Sequence, residues 1–387
     1  MFQNIFLDKS VKNVVSSLSV LLFTASLVAC GRDQAANQNP TPDQGQNPSQ
    51  SSVAITLPFQ QNIRANGAGA SFPAPLYQTW FVLLSRQVPQ LQFNFQSVGS
   101  GAGIQQFTGG TVDFGASDIA MTDEQIAQVS RGVLLLPVTA GSIVLAYNLP
   151  GVEGVKLTRE NYVDIFAGNI TNWNDPKLAQ SNPDLKLPDQ RITVVHRSDG
   201  SGTTAVFTNH LGEISPQWKK DIGTGTSVGW PTTKGNFIGG RGNEGVTALI
   251  GQTQGSIGFM EFGFAKKNNL STAALENKAG KFIVPSDESG TYTLSQVELP
   301  DNLRAFITDP PGEESYPIVT YTWMLLFKKY DDPNKAIAME AMIQFALNEG
   351  QQKAPALGYI QLPQNVREKV AAAADQITPD FQIKLSE

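Results

Sequence analysis

The stretch VVHRSDGSGTTAVF, Val194 to Phe207, passes from a β-branched pair through glycine, serine and aspartate into a run with helical spacing. Strands favour β-branched residues, and glycine with small hydroxyl residues suits a tight passage from strand to helix. The same passage recurs in RANGAGASFPAPLY, Arg64 to Tyr77, and in FQSVGSGAGIQQF, Phe95 to Phe107. Strands that alternate with helices in this way make an α/β sandwich with a mainly parallel sheet. Around them QFNFQSV, TVDFGAS, GSIVLAYNL and GSIGFMEFGFA also have strand character. Leu76, Trp80 and Leu84 fall on one face of a helix that Pro89 closes. Asp332 and Pro333 open another, as cap and first position, running to about Asn348 with Gly350 beyond it. No internal repeat is evident.

The strand-to-helix loops point to a chemistry. A helix N-terminus leaves backbone N–H groups without partners and carries partial positive charge. Three such ends directed at one spot bind an anion without a large excess of lysine and arginine. Glycine lets the backbone come close to the ligand, and serine or threonine adds a hydroxyl donor. The plainer reading makes Ser71, Ser100 and Ser201 simple N-caps. Composition fits local rather than global recognition: 387 residues, 41% hydrophobic and 16% charged, with a formal net charge of −6. That length allows two domains, and the acidic balance argues against a nucleic-acid footprint.

The N-terminus indicates where the chain works. Lys9 and Lys12 precede VVSSLSVLLFTASLVAC, Val14 to Cys30, which has the charged and apolar regions of a secretory signal and is too short and interrupted for a permanent span. LVAC resembles the bacterial lipoprotein box, in which the cysteine is lipidated; the alternative is an ordinary signal with a chance cysteine. We therefore expect a signal peptide over residues 1–29, an extracytoplasmic location and a membrane anchor on Cys30. Cys30 is the single cysteine, so no internal disulfide is expected. Residues 30–61, rich in Gln, Asn, Pro and Ser, read as a disordered tether, and about 30 flexible residues span roughly 30 Å.

From about Ile63 to the C-terminus, GAGASFPAPLY, VGSGAG, VDFGASD, RSDGSGT, GTGTSVGWP and LGYIQLP occur in that order. In these motifs the sequence resembles the phosphate-binding proteins of high-affinity phosphate ABC transporters. The resemblance implies a type II periplasmic-binding-protein fold: two α/β lobes, with mixed and mostly parallel sheets, closing on a ligand between them. Residues 62–139 and 318–387 would form one lobe and residues 140–317 the other, with crossings near Val138 to Gly141 and Tyr316 to Thr320. It implies capture of inorganic phosphate for a permease with cytoplasmic ATPases. Ser71, Phe72, Ser100, Asp118, Arg197, Ser201, Gly202 and Thr203 would bind the anion, and Asp199 would pair with Arg197. Serine at 71 where threonine is common, and GSGAG for a frequent GSSGG, keep the hydroxyl in place.

These residue types suit phosphate. The planar fork of Arg197 matches two phosphate oxygens, and Asp199 would fix that fork; a surface ion pair is the alternative. Asp118 would accept the proton that inorganic phosphate retains near neutral pH and sulfate lacks. Sulfate would bring two acceptors face to face in a desolvated cleft, which is costly. Asp118 is thus the expected selectivity element, for HPO₄²⁻ and H₂PO₄⁻ alike, with arsenate rejected poorly. The alternative makes it the N-cap of a helix over MTDEQIAQV, a task open to Thr122 or Asp123.

Other chemistries fit less well. His196 and His210 are the two histidines, so a zinc site of standard spacing is not expected, nor any other metal or cofactor. The chain has no G-x-S-x-G elbow, no G-x-x-x-x-G-K-[ST] loop and no dinucleotide fingerprint. An ester hydrolase using Ser201 would lack a base. His196 reads as structural, and Arg241 as a solvated loop charge or part of a cleft rim. Asn169 and Asn269 match a glycosylation pattern that a bacterial lipoprotein would not use. A binder of another oxyanion, or a sensor or adhesion lipoprotein, remains a competing function. A monomer suits a shuttle between ligand and permease.

Overall fold

The computed structural model describes residues 53–386. The expected signal segment, Cys30 and most of the expected tether lie outside them. Val53 to Gln60 have no regular secondary structure, yet Ile55, Leu57 and Phe59 are partly buried against the core. Gln344 Nε2 donates to the Ala54 carbonyl at 3.5 Å. Here the chain packs where a tether was expected up to residue 61. Apolar residues at alternate positions let it lie on the core as a strand edge would.

Eight strands build the main sheet of the described residues: β1 (Ile63–Gly69), β2 (Leu91–Ser97), β3 (Phe114–Ser117), β4 (Val133–Tyr147), β5 (Thr193–Arg197), β6 (Asn236–Gly240), β7 (Ser256–Glu261) and β8 (Val319–Phe327). Their spatial order is β2-β1-β3-β8-β4-β7-β5-β6, with the short strand Ser271–Thr272 added to β4. The outer strands pair in parallel, β1 with β2 and β3, and β5 with β6 and β7. The centre is antiparallel, where β8 meets β3 and β4, and β4 meets β7. That antiparallel centre joins two parallel wings, so the sheet is mixed rather than uniformly parallel.

β4 holds the wings together. All 15 of its residues, VLLLPVTAGSIVLAY, are buried, which is the continuous apolar signature of a strand covered on both faces. Val133 to Ser142 pair with β8, then Ile143 to Tyr147 pair with β7. The exchange falls between Ser142 and Ile143, just beyond the expected Val138 to Gly141. β8 starts opposite that point, Val319 against Ser142, and Ile143 N–H donates to the Ile318 carbonyl at 2.8 Å. We call the part with β1, β2, β3 and β8 the first half, and the part with β5, β6 and β7 the second.

The helices that position the site are α1 (Ala74–Gln87), α2 (Ser100–Thr108), α3 (Asp123–Ala127), α4 (Gly202–Ile214), α5 (Gly242–Gln252), α6 (Phe262–Lys267) and α7 (Pro333–Leu347). Leu76, Trp80 and Leu84 are buried on α1, as their spacing requires. Asp332 caps α7 by accepting the Asn334 N–H at 2.9 Å, and burial from Ala336 onward makes it a core helix. β1, β2, β5 and β6 run directly into α1, α2, α4 and α5. Parallel strands put their carboxyl ends on one edge, where a crevice between halves receives the helix N-termini.

Candidate functional site

The four strand-to-helix turns meet across the two halves. Gly101 N–H, in the first turn of α2, donates to the Gly200 carbonyl at 2.9 Å. Ser71, before α1, accepts the N–H of Asn243 in α5 at 3.0 Å. Approach this close requires glycine. Gly99 has a φ of +88°, and a Cβ there would stand 2.4 Å from Asp199 Oδ2 and 2.7 Å from the Gly200 carbonyl oxygen. At the rim, Ser97 Oγ donates to Glu244 at 3.0 Å, and Arg304 pairs with Asp123 at 2.7 Å.

The sequence-selected residues converge here. Ser71, Phe72, Ser100, Asp118, Arg197, Ser201, Gly202 and Thr203 are all buried around the meeting point. Three serines share one polarity. Ser71 Oγ accepts from Asn243, Ser100 Oγ accepts the Asp118 N–H at 3.2 Å, and Ser201 Oγ accepts the Thr204 N–H at 3.0 Å. Each has spent acceptor capacity on an N–H, which leaves its own O–H to give. Among the described residues, the backbone N–H groups of Ser71, Phe72, Gly202 and Thr203 have no acceptor. Ser201 is therefore a true N-cap with a spare donor. Ser71 and Ser100 cap nothing, because Pro73 and Gly99 hold those positions.

Asp118 is the acceptor amid these donors. It is 1% exposed, and its carboxylate receives Thr322 Oγ1 at 2.9 Å and Thr203 Oγ1 at 3.3 Å. The Thr203 hydroxyl is thereby committed to Asp118, so its N–H is what it has left to offer. Burial raises the Asp118 pKa to about 7, against the lowering effects of Thr322, Arg197 and Thr203. Helix capping falls instead to Thr122, which makes a capping box with Gln125 on α3.

Arg197 brings the buried cation. Its side chain is 1% exposed and forks onto Asp199, Nε to Oδ1 at 2.8 Å and Nη2 to Oδ2 at 2.5 Å, while Nη1 reaches Thr203 Oγ1 at 3.4 Å. Burial pushes the Asp199 pKa up, but Arg197 and the Gly242 N–H outweigh it and hold it below the usual range. The pair is thus not a solvated surface bridge. His196 points away, stacks on Trp230 at 5.1 Å and has Nδ1 2.9 Å from the Arg197 carbonyl. His210 is buried against the Tyr162 hydroxyl at 2.9 Å.

Sequence reasoning missed three contributors. Asn243 lies in GGRGNEG, where Arg241 drew attention; Arg241 is exposed and Asn243 is fully buried. Thr320 and Thr322 sit on the apolar strand β8, Thr320 Oγ1 donating to the Asp118 carbonyl at 3.2 Å. The glycine-flanked strand-to-helix form of GGRGNEG, shared with the other three turns, was the available signal for Asn243.

A family model described as the PBP superfamily domain matches residues 36–349. The phosphate-binding protein PstS of Haemophilus influenzae is 41% identical over 315 residues, covering 80% of this chain and 92% of that protein. The chain belongs to the PstS family of phosphate-binding proteins. The PstS protein of Pasteurella multocida is also 41% identical, over 83% of this chain and 92% of that protein. The structure of a high affinity periplasmic phosphate-binding protein bound with phosphate superposes with a TM-score of 0.67 at 19% identity, over 83% of this chain and 99% of that one. The fold of this PstS-family chain is the type II periplasmic-binding-protein architecture, and the family is one of transport binding proteins rather than enzymes.

Gly202 supplies a direct test of the packing. A Cβ on it would stand 2.4 Å from Ser100 Oγ and 2.8 Å from Asp118 Cβ. Gly202→Ala must push the halves apart at the site, and overpacking of this kind costs about 1–3 kcal/mol. Calorimetry should therefore find ligand affinity reduced by roughly 10- to 100-fold, with 1.4 kcal/mol per decade, and little change in the unfolding midpoint of the unliganded protein.

Proposed function

We propose that this chain captures inorganic phosphate outside the cytoplasm and presents it to an ABC-type phosphate permease. One observation carries the reading: serine hydroxyls and free N–H groups from both halves surround a buried arginine paired with Asp199 and a second carboxylate, Asp118. Such a site is built for an anion that still bears a proton. Ser71, Phe72, Ser100, Ser201, Gly202 and Thr203 give hydrogen bonds, Arg197 faces two oxygens, Asp118 takes the proton, and Asp199 holds the arginine. Sulfate and other fully deprotonated oxyanions leave Asp118 facing an acceptor.

Residues 62–139 with 318–387, and residues 140–317, move as two bodies about the paired crossings of β4 and β8. Closure makes a surface spanning both, which a permease distinguishes from the open form. Residues 1–29 direct export, and lipid on Cys30 holds a monomer at the membrane. Hydrolysis finds no support, since Ser201 is capping α4 and both histidines are engaged elsewhere.

The test is calorimetry at about pH 8.5, where the Asp118 carboxylate is ionised, on protein freed of bound anion by reversible unfolding. Tight phosphate binding with no sulfate heat is expected. Equal binding of the two anions would remove the role of Asp118, and binding of neither would remove the site. Crosslinking to permease subunits separates transport from a sensing or adhesion role.

A further inference from the structure

The N-terminus of α5 points at the site without offering its first donors to an anion. Gly242 N–H donates to Asp199 Oδ1 at 3.0 Å, and Asn243 N–H donates to Ser71 Oγ at 3.0 Å. Both acceptors belong to residues that act on the anion, Asp199 through Arg197 and Ser71 directly. The side chain of Asn243 adds a second bond to the same hydroxyl, Nδ2 to Ser71 Oγ at 2.9 Å. Its orientation is fixed from the other end, because Oδ1 accepts the Glu261 N–H at 3.1 Å. A flipped amide would set a carbonyl oxygen against Ser71 and an NH₂ against a backbone donor.

A serine oxygen has two lone pairs and one proton. Here both lone pairs face N–H groups of Asn243, and the proton has no acceptor among the described residues. Nδ2 also lies 3.5 Å from Thr203 Oγ1, the hydroxyl that links Arg197 to Asp118. Ser71 lies in the first half and Asn243 in the second, so these bonds exist when the halves are together.

We infer that Asn243 is a positioning residue that makes Ser71 a one-way donor to the anion upon closure. The inference rests on the phosphate reading above and deepens it. In the open protein the Ser71 hydroxyl is free to accept or to donate. On closure Asn243 occupies its oxygen, and the O–H turns to the ligand. Discrimination for a donor-poor, acceptor-rich ligand is thus coupled to domain movement at this one pair.

The experiment is phosphate calorimetry at neutral pH on the wild type, Asn243→Ala, Asn243→Asp, Ser71→Ala and the Ser71→Ala/Asn243→Ala double variant. Asn243→Asp keeps the acceptor for Glu261 N–H, and hence the local fold, but puts a carboxylate oxygen where Nδ2 was. That oxygen takes the Ser71 proton and adds charge, so affinity should fall by about 100-fold or more. Asn243→Ala should lose about fivefold, one charge-free hydrogen bond being worth roughly 1 kcal/mol, and should lose almost nothing further in the Ser71→Ala background. A merely structural role would instead give the same loss in both backgrounds, and this result overturns the inference. Full phosphate affinity in Asn243→Asp overturns it as well. Failure of the wild type to bind phosphate would strike the underlying reading and not this pair.

Discussion

Asp118→Asn is expected to erase the preference for phosphate over sulfate. In the wild type the carboxylate is buried, receives Thr322 and Thr203, and has acceptor capacity to spare, which the proposed reading gives to the ligand. An amide at that position can turn its NH₂ to a sulfate oxygen while its carbonyl still receives Thr322. A buried charged group left unpaired costs more than the roughly 1–3 kcal/mol of a neutral one, so the phosphate-to-sulfate affinity ratio should drop by at least about a hundredfold. Competition calorimetry at about pH 8.5, above the raised pKa of Asp118 so that its carboxylate is ionised, reads the ratio directly, and an unchanged ratio would place selectivity elsewhere.

The same substitution should alter closure in a pH-dependent way. Burial in the closed arrangement raises the Asp118 pKa from 3.8 to about 7. A raised pKa means that the closed form holds the proton more tightly than an open, solvated one. Closure without phosphate is therefore least penalised below pH 4 and becomes less favourable as pH climbs toward 7, where the carboxylate must ionise in a dry site. Scattering measured on phosphate-free protein should show opening between about pH 4 and 7 in the wild type. Asp118→Asn should show no such transition.

Arg197→Ala is the second large effect. It removes the buried cation and strands Asp199, whose carboxylate would keep only the Gly242 N–H among the bonds described above. Truncating one partner of a buried, hydrogen-bonded charge pair costs about 2–5 kcal/mol before the lost attraction for the anion is counted, so phosphate affinity should fall by about three orders of magnitude or more. Arg197→Lys keeps charge but not the planar fork, and should recover only part of that loss. Removing Asp199 together with Arg197 should bring back stability to thermal unfolding without bringing back binding. If Arg197→Ala still binds phosphate tightly, the anion does not sit at this arginine.

Much of this site was legible because its parts lie in continuous loops. GAGASF, VGSGAG and RSDGSGT announce themselves through glycine and hydroxyl residues between a strand and a helix, and a single loop carries Arg197, Asp199 and Ser201 together. Asn243 escaped notice because it touches another side chain, the Ser71 hydroxyl, and an asparagine in a glycine-rich turn looks like turn chemistry. Thr320 and Thr322 were invisible for a different reason. They reach Asp118 through the β3–β8 pairing, which joins residues about 200 positions apart, and alternation along VTYTWMLLF is also what an ordinary buried strand looks like. The antiparallel centre of the sheet was hidden by the same distance. Segments β4 and β8 read as apolar strands, but nothing local states which neighbour or direction each takes.

The docking of Ile55, Leu57 and Phe59 beside α7 has a mechanical meaning. α7 packs on α1, β1 and β4, all on the side of the first half. The first of the described residues are thus seated on the first half. Under the anchoring and closure proposed above, that half is the mounted jaw and the second half is the one that swings.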